Sequence, residues 1–301
     1  MRAIVTGATG LVGRKLLSRL AHPAVLSRHA GAATAKLGRD DARVFAWDPQ
    51  REPAPAEAFE NIDTVFHLAG ESVAQGRWTA DKKARIRDSR VLGTRNLVAT
   101  LCQLDRPPRV LVSASAVGYY GDRGDEILDE TAWPGSDFLA QVSVDWEREA
   151  LLAGDAGIRV VTVRTGIVLS KDGGALAKML TPFRLGMGSP LGSGRQWMPW
   201  IHLDDLIGLL LLAAEREDLQ GPLNATAPTP VTNREFTRAL GRAVHRPTFL
   251  PAVPEAVLRL GLGEFAGVLL ASTRAVPRRA EAAGYGFAHP RLDDALQKLL
   301  G

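Results

Sequence analysis

The sequence contains little cysteine, and its apolar segments are short. Its single cysteine, Cys102, cannot form a disulfide within the chain and is typical of a reducing compartment. It lies in an apolar helical pattern, which predicts a buried thiol. The longest apolar runs, such as residues 206–214, are too short to cross a bilayer, and the first residues are needed as a strand rather than as a signal peptide. We therefore expect a cytoplasmic protein that does not bind membranes.

The sequence also lacks a run of basic residues. The isoelectric point is about 9.4, but the formal net charge is only +4. Arginine exceeds lysine by 30 to 7 and accompanies abundant alanine, which indicates genome composition rather than a surface for RNA. No nucleic-acid partner is expected. An apolar content of 46% in 301 residues is ordinary for a globular protein with one large domain and a smaller lobe.

A glycine-rich turn lies near the start of the sequence. Residues 3–5 form an apolar run typical of a buried parallel strand, and residues 11–20 have a helical pattern. The turn between them leaves backbone N–H groups and a positive helix end facing outward, which suits a pyrophosphate. This arrangement predicts a dinucleotide site, although glycines can also serve a turn that binds nothing. The candidate contacts are Gly7, Thr9, Gly10, Leu11, Val12 and Gly13.

The second predicted strand, residues 24–26, is not followed by the carboxylate that an NAD site uses. In such sites an acidic residue about 20 residues after the first glycine holds the ribose 2′-hydroxyl. Here Ser27 and Arg28 follow the strand, and a hydroxyl with a guanidinium suits the 2′-phosphate of NADP. His29 can add to the positive field. The sequence therefore favours NADP(H) as cofactor, and the alternative is that Arg28 is a solvated surface residue.

Strand and helix patterns alternate through the first 165 residues. Further strands are predicted at 43–47, 63–68, 110–112 and 160–163, and long helices at 79–104 and 137–153. Gly93 lies inside the first of these helices, where it costs about 1 kcal/mol relative to alanine, so we expect a close approach to a neighbour there. This alternation predicts an α/β fold of the Rossmann type, with a doubly wound parallel sheet covered by helices on both faces.

Beyond residue 165 the alternation is weaker. Helices are predicted near residues 175–185, 205–215, 233–244, 255–270 and 292–300, with one strand at 223–226. A segment of this kind, attached to loops from the strand ends, is typical of a substrate lobe. We therefore divide the chain into a dinucleotide-binding domain, residues 1–165, and a smaller C-terminal substrate lobe, residues 166–301. Strand 223–226 is expected to return to the sheet.

Six motifs and the C-terminal tail together resemble one protein family. The motifs are TGATGLVG, FHLAGE, SRVLGT, LVSASAVGYYG, VRTGIVL and WIHLDD, and the tail contains GLGEFAGVLLAS and AVPRRAEAAGYGF. The chain is similar to the atypical extended short-chain dehydrogenase/reductases, in the epimerase-like subgroup of the NAD-dependent epimerase/dehydratase superfamily. The resemblance implies a Rossmann sheet of about seven parallel strands and an NADP(H) cofactor. It does not determine the reaction.

The resemblance also implies where the cofactor contacts lie. It places two residues at the 2′-phosphate, two near the adenine and three beside the nicotinamide half. In that order they are Ser27 and Arg28, Trp47 and Asp48, and Ala69, Gly70 and Glu71. The implied contacts that complete the site are Arg77, Gly166, Ile167 and Val168. Relatives of this fold often dimerise through the helices predicted at 79–104 and 137–153, so a homodimer is an expected possibility.

The sequence lacks the family's usual proton-transfer pair. Members of the family use a tyrosine and a lysine spaced Tyr-x-x-x-Lys, in which the ammonium lowers the pKa of the phenol. Here Tyr119, Tyr120 and Tyr285 are followed four positions later by arginine, glycine and histidine. The family's catalytic serine is matched by Ser115 or by Ser113. The catalytic candidates are therefore Ser115 and Tyr119, and the alternative for Tyr119 is packing beneath a substrate loop.

Several other polar residues have two possible roles each. Glu71 could act as a base, but we favour a hydrogen bond to a ribose or to the carboxamide. His202 with Asp204 looks like a fragment of a metal site or triad. No metal is expected, because no further histidine or cysteine cluster supports one, and Asp204 is predicted to cap a helix that begins at Asp205. Arg195, in loop 192–200, can contact an anionic substrate or serve surface packing.

Two hypotheses on function follow from these residues. The first is an NADP(H)-dependent oxidoreductase or epimerase that acts on an unidentified small molecule. The second is a catalytically weak or inactive NADPH-binding sensor or scaffold, which the missing Tyr-x-x-x-Lys pair favours. The loop at 192–200 and the long C-terminal lobe favour the enzyme, because together they can build a closed pocket.

Overall fold

Seven parallel strands form the central sheet of the computed structural model, which describes residues 1–301. The strands of the structure are β1 Ala3–Thr6, β2 Ala24–Ser27, β3 Arg43–Ala46, β4 Thr64–His67, β5 Val110–Ala116, β6 Ile127–Leu128, β7 Arg159–Thr165, β8 Ile167–Leu169, β9 Trp197–Met198, β10 Trp200–His202, β11 Gly221–Ala225, β12 Val231–Thr232 and β13 Arg274–Ala275. The sheet has the order β11-β7-β5-β4-β1-β2-β3. The predicted Rossmann-type α/β fold is confirmed.

Helices cover both faces of this sheet and make up much of the chain after β8. They are α1 Leu11–Leu17, α2 Ala30–Leu37, α3 Ala80–Leu101, α4 Phe138–Leu151, α5 Gly174–Arg184, α6 Leu203–Glu215, α7 Asn233–Ala243, α8 Glu255–Leu262, α9 Phe265–Leu270, α10 Arg278–Ala282 and α11 Leu292–Leu300. No helix is long and apolar enough to cross a membrane.

The two faces of the sheet bury separate apolar clusters because successive strand residues point to opposite sides. Leu111 of β5 packs in a cluster with Leu97 of α3. Its neighbour Val112 packs on the other face, in a cluster with Leu210 of α6. Strands buried on both faces explain the continuous apolar runs in the sequence. The ends of the strands are not covered by these helices, and the loops that follow the strands lie there.

Helix α3 is placed by its cap and by one glycine. Thr79 is the N-cap of the helix, and its side chain accepts a hydrogen bond from the backbone N–H of Lys82. A Cβ built on Gly93 would lie 3.3 Å from Cβ of Pro49. The predicted close approach at Gly93 is therefore confirmed, and the neighbour is the segment that follows β3.

Several predicted boundaries are wrong in ways that have a physical cause. The long helix predicted at 255–270 is two helices, because Gly263 between them adopts a φ of +61°. Helix α2 was not predicted, since its alanine-rich sequence has no apolar periodicity. Strand β5 continues past residue 112 through Ser115. Cys102 is exposed rather than buried, because it stands at the C-cap of α3.

The C-terminal half is tied to the sheet at several places. Strand β11 pairs in parallel with β7 along five residues, from Gly221 opposite Val161 to Ala225 opposite Thr165. A further apolar cluster joins β10, α7 and α11 through Trp200, Phe236 and Leu296. The division of the chain at residue 165 stays a prediction.

Candidate functional site

A cavity of about 430 Å³ opens where β1, β2 and β4 end. Its walls come from the glycine-rich turn, from the residues that follow β2, β3 and β4, and from side chains of α2 and α3. The predicted cofactor contacts that line it are Gly7, Thr9, Gly10, Ser27, Arg28, Trp47, Ala69, Gly70 and Glu71.

The glycine-rich turn requires glycine for backbone reasons. Gly7 has a φ of +69°, and a Cβ on it would lie 2.7 Å from the carbonyl oxygen of Leu68. A Cβ on Gly13 would overlap the carbonyl oxygen of Gly7. Gly10 is the N-cap of α1 and offers no side-chain cap, so the first N–H groups of that helix are not used by a capping side chain. The turn is therefore packed tightly against the end of β4, and no capping side chain covers the first N–H groups of α1.

A buried histidine fixes the turn to the end of β4. The hydroxyl of Thr6 accepts the backbone N–H groups of Leu68 and Ala69, each at 3.1 Å, so its own proton points to Nδ1 of His67 at 2.8 Å. Nε2 of His67 then donates to the hydroxyl of Thr94 at 3.0 Å. Burial lowers the pKa of His67 to about 4, and the imidazole is neutral at physiological pH.

The cavity wall carries positive groups that form no ion pair. The cations that line it are Arg28, Lys36 and Arg85, together with His29. None of the three strong bases forms an ion pair, whereas neighbouring bases such as Arg39 and Lys82 do. Unpaired cations beside the hydroxyl of Ser27 are the donor set that binds a phosphate group.

Three side chains of α3 hold Glu71 at the cavity wall. Nζ of Lys82 lies 2.7 Å from a carboxylate oxygen of Glu71, and Ser89 accepts the backbone N–H of Glu71 at 3.0 Å. Arg90 donates to the carbonyl of Glu71 at 3.0 Å. The hydrogen bond from Lys82 lowers the pKa of Glu71, and burial lowers the pKa of Arg90 to about 10. Glu71 is therefore an anionic acceptor at physiological pH.

Ser115 belongs to a buried polar network behind this cavity. Its hydroxyl donates to Oε1 of Glu147 at 2.6 Å, and Arg164 binds both oxygens of that carboxylate at 2.8 Å. Burial lowers the pKa of Arg164, but the hydrogen bonds to Glu147 outweigh it and the net pKa is raised. The Arg164 guanidinium also lies 3.4 Å from the ring centroid of Tyr119. Ser115 and Tyr119 are thus brought together, but neither lines the cavity.

The other predicted contacts also lie outside the cavity. Leu11 and Val12 pack on the apolar cluster beneath α1, where Gly13 is buried. Asp48 accepts the backbone N–H of Gln50 and pairs with Arg51. Arg77 donates to the carbonyl of Leu260 at 3.3 Å. Leu260 belongs to the C-terminal segment, by which we mean residues 253–299.

Residues 166–168, which follow β7, form backbone hydrogen bonds to other segments. Gly166 donates its N–H to the carbonyl of Ala225 at 3.0 Å, and Ile167 donates to the carbonyl of Pro199 at 2.8 Å. Val168 pairs with Ile201 of β10. The structure therefore uses these three residues to join the sheet to the C-terminal lobe.

The predicted cap of α6 is wrong. The helix begins at Leu203, and the N-cap is His202, whose Nδ1 accepts the backbone N–H of Asp204 at 3.1 Å. Asp204 instead pairs with Lys15 at 2.8 Å. The expectation that no further histidine accompanies His202 is also wrong, because His289 lies against its ring.

Sequence reasoning missed Lys36, Arg85 and Ser89 at the cavity wall. Each lies on a helix that is distant in the sequence from the glycine turn. A basic or hydroxyl residue on a helix is most often solvated. The helical pattern of α3 could have placed Arg85 and Ser89 on one face with Lys82, since residues three or four apart are neighbours.

The chain is similar to known proteins over nearly its whole length. Residues 3–225 match the NAD dependent epimerase/dehydratase family. The chain belongs to this family. Residues 253–299 match a domain of unknown function, DUF1731, so the resemblance inferred from the tail is confirmed as well. The epimerase family protein MT2273 of Mycobacterium tuberculosis is 41% identical over 293 residues, which cover 97% of this chain and 95% of the relative.

Solved structures agree with the fold. The crystal structure of human epimerase family protein SDR39U1 (isoform 2) with NADPH is similar with a TM-score of 0.88 and 34% identity, covering 100% of this chain and 99% of that chain. UDP-glucuronic acid 4-epimerase from Bacillus cereus, solved with UDP-glucuronic acid and NAD, has a TM-score of 0.77 at 16% identity and covers 100% of this chain and 98% of that chain. At that identity the likeness shows the fold alone.

Proposed function

We propose that this family member binds NADP(H) in the cavity at the sheet edge and acts on a small molecule by hydride transfer. The observation that carries the proposal is the cavity wall, which joins the glycine-rich turn to cations that form no ion pair and has no carboxylate at the end of β2. The NADPH bound in the human relative, at 34% identity over the whole chain, supports the same cofactor.

The chemistry of the residues that line the cavity fits this group. Ser27, Arg28 and Lys36 would hold the 2′-phosphate, and the turn around Gly10 would hold the pyrophosphate. The carboxylate of Glu71, held anionic by Lys82, would accept a hydrogen bond from a ribose hydroxyl. When bound, the nicotinamide supplies a hydride donor or acceptor.

The proton-transfer group is proposed from what surrounds Ser115. Helix α4 carries no tyrosine or lysine on its first turns, and the hydroxyl of Ser115 is bound to Glu147. Ser115 would therefore hydrogen-bond a substrate oxygen only by exchanging that partner. Tyr119, whose ring lies against the guanidinium of Arg164, would move the proton.

Calorimetry and turnover measurements test this proposal in two steps. NADPH and NADH are titrated separately into the full chain, and we expect NADPH to bind much more tightly. Carbonyl compounds and sugar nucleotides are then screened for NADPH oxidation. Absence of heat with either coenzyme would overturn the cofactor assignment, whereas tight binding without any turnover would count against the enzyme.

A second function, a sensor or scaffold that binds NADPH without turnover, is favoured by one observation. The hydroxyl that the family uses for catalysis is buried at 4% exposure and already paired with Glu147. Mass spectrometry of the purified protein distinguishes the two, because an enzyme with a closed pocket is expected to carry a second small molecule. The cytoplasmic location and the homodimer stay predictions from the sequence.

A further inference from the structure

Two histidines that are distant in the sequence meet where the C-terminal segment crosses the start of α6. The ring centroids of His202 and His289 lie 3.8 Å apart, with the ring planes inclined by 39°. One ring nitrogen of each and a carboxylate oxygen of Asp204 all lie within 4.8 Å of one another. A small rotation of a ring can bring two such nitrogens onto one ion, because zinc–nitrogen bonds are about 2.0–2.1 Å long.

One of these nitrogens is a buried polar atom without a partner. The side chain of His202 is only 4% exposed. Its Nδ1 accepts the backbone N–H of Asp204, but no group donates to or accepts from Nε2. Buried polar atoms almost always have a partner, and a bound ion is one of the usual reasons for an exception. Nε2 therefore points to a ligand at this place.

We propose that Nε2 of His202 and a ring nitrogen of His289 bind a divalent transition-metal ion of the zinc class, with water in the remaining positions. Coordination through Nε2 requires the ring proton on Nδ1. Oδ2 of Asp204 lies 3.7 Å from Nδ1 and can accept that proton in place of the cap bond. A carboxylate that orients a metal-bound histidine in this way is a frequent feature of protein metal sites.

Neighbouring groups hold the second ligand in place and leave one oxygen of Asp204 for the first ligand. Lys15 pairs with Oδ1 of Asp204 at 2.8 Å, and Oδ2 is the oxygen that faces Nδ1 of His202. Asp205 accepts the backbone N–H groups of Ala288 at 2.7 Å and His289 at 2.9 Å. His289 is partly exposed, which leaves a path for the ion and for water. A bound ion would link the C-terminal segment to α6.

Zinc titration of the untagged full chain tests the site. The protein is dialysed against a chelator, and Zn²⁺ binding is measured by calorimetry, with Co²⁺ as a spectroscopic probe. We expect one ion per chain, a d–d band with Co²⁺, and a higher Tm with Zn²⁺, since a ligand of the folded state stabilises it. The variant His289→Asn should bind Zn²⁺ at least about tenfold more weakly and lose the Tm increase.

Two further variants make the result decisive. His202→Asn removes the ring but keeps a side chain that caps helices well, and it should lose the ion as well. His245→Asn is the control, because asparagine tolerates the φ of +54° found there, and it should bind as the wild type does. The proposal is overturned if the wild-type chain takes up no Zn²⁺ saturably, or if His289→Asn binds it unchanged. NADPH binding should be the same in His289→Asn and wild type, so this result is independent of the proposed function.

Discussion

At the scale of single residues, the proposed function makes cofactor choice depend on the charge at the end of β2. Arg28 lines the cavity and forms no ion pair. We predict that Arg28→Glu weakens NADPH binding by more than the ~1.5–3 kcal/mol of one charge-assisted hydrogen bond, because a carboxylate also repels the 2′-phosphate. NADH, which lacks that phosphate, should lose far less.

Calorimetry with both coenzymes measures this difference. Arg51→Glu is a suitable control, since Arg51 is exposed and pairs with Asp48 outside the cavity. Equal losses for NADPH and NADH in Arg28→Glu would contradict the assignment of the 2′-phosphate to this residue.

A second residue-scale prediction concerns His67 and pH. Its pKa in the folded state is about 4, below the value of about 6.5 for an unfolded chain, so the unfolded state binds more protons between these pH values. Stability should therefore be fully present above about pH 6.5 and fall as the pH decreases toward 4, by about 3 kcal/mol from this residue. Burial lowers the pKa of His202 as well, which adds to the same trend.

Urea unfolding at pH 7 and at pH 5 checks this prediction. His67→Gln keeps a hydrogen-bonding side chain but cannot titrate, so its stability should change less between the two pH values than that of the wild type. An identical pH dependence in the variant would show that His67 does not supply the effect.

At the scale of elements, the position of α3 determines the contacts that hold Glu71 and the shape of one cavity wall. Gly93 allows this helix to approach Pro49, which itself lines the cavity. We predict that Gly93→Leu destabilises the chain by about 1–3 kcal/mol through overpacking, and that it also weakens NADPH binding by displacing the segment after β3.

Gly261 offers the matched control for this prediction. It lies in α8 with no atom near the position of a Cβ, so Gly261→Ala should leave NADPH affinity unchanged and raise the free energy of unfolding by up to about 1 kcal/mol. Thermal unfolding and coenzyme titration of both variants are compared. Normal NADPH binding by a folded Gly93→Leu protein would contradict the role given to this contact.

At the scale of the whole molecule, the C-terminal segment is part of the folding unit. Asp205 is 1% exposed and accepts two backbone N–H groups of residues 288 and 289. The hydroxyl of Tyr285 also donates to the carbonyl of Asp205, which joins the segment to α6.

We predict that Asp205→Ala lowers the free energy of unfolding by about 3 kcal/mol, because it removes a buried carboxylate that accepts two backbone N–H groups and a hydrogen bond to a charged group contributes about 1.5–3 kcal/mol. Asp293→Ala, which removes only an exposed ion pair with Arg242, should change it little. Circular dichroism in the far and near ultraviolet should report one shared transition for both variants. Separate transitions would mean that the C-terminal segment unfolds by itself.

Local patterns in the sequence were sufficient for the fold and for half of the site. Apolar runs and the turn around Gly7 are properties of neighbouring residues, so the parallel sheet and several residues of the cavity at its edge could be predicted from them. The bounds of α2 and the break at Gly263 could not, because alanine-rich helices and single glycines carry weak local signals.

What only the tertiary structure decided are contacts between residues far apart in the chain. Lys82 against Glu71, Glu147 against Ser115, and His289 against His202 each join segments that no local pattern relates. The sequence alone determined the strands, the helices and the glycine turn, because backbone sterics and apolar periodicity act over a few residues. It also determined which polar side chains follow each strand. Their partners, and therefore their protonation and chemistry, depend on the packing of α3, α4 and the C-terminal segment on the sheet.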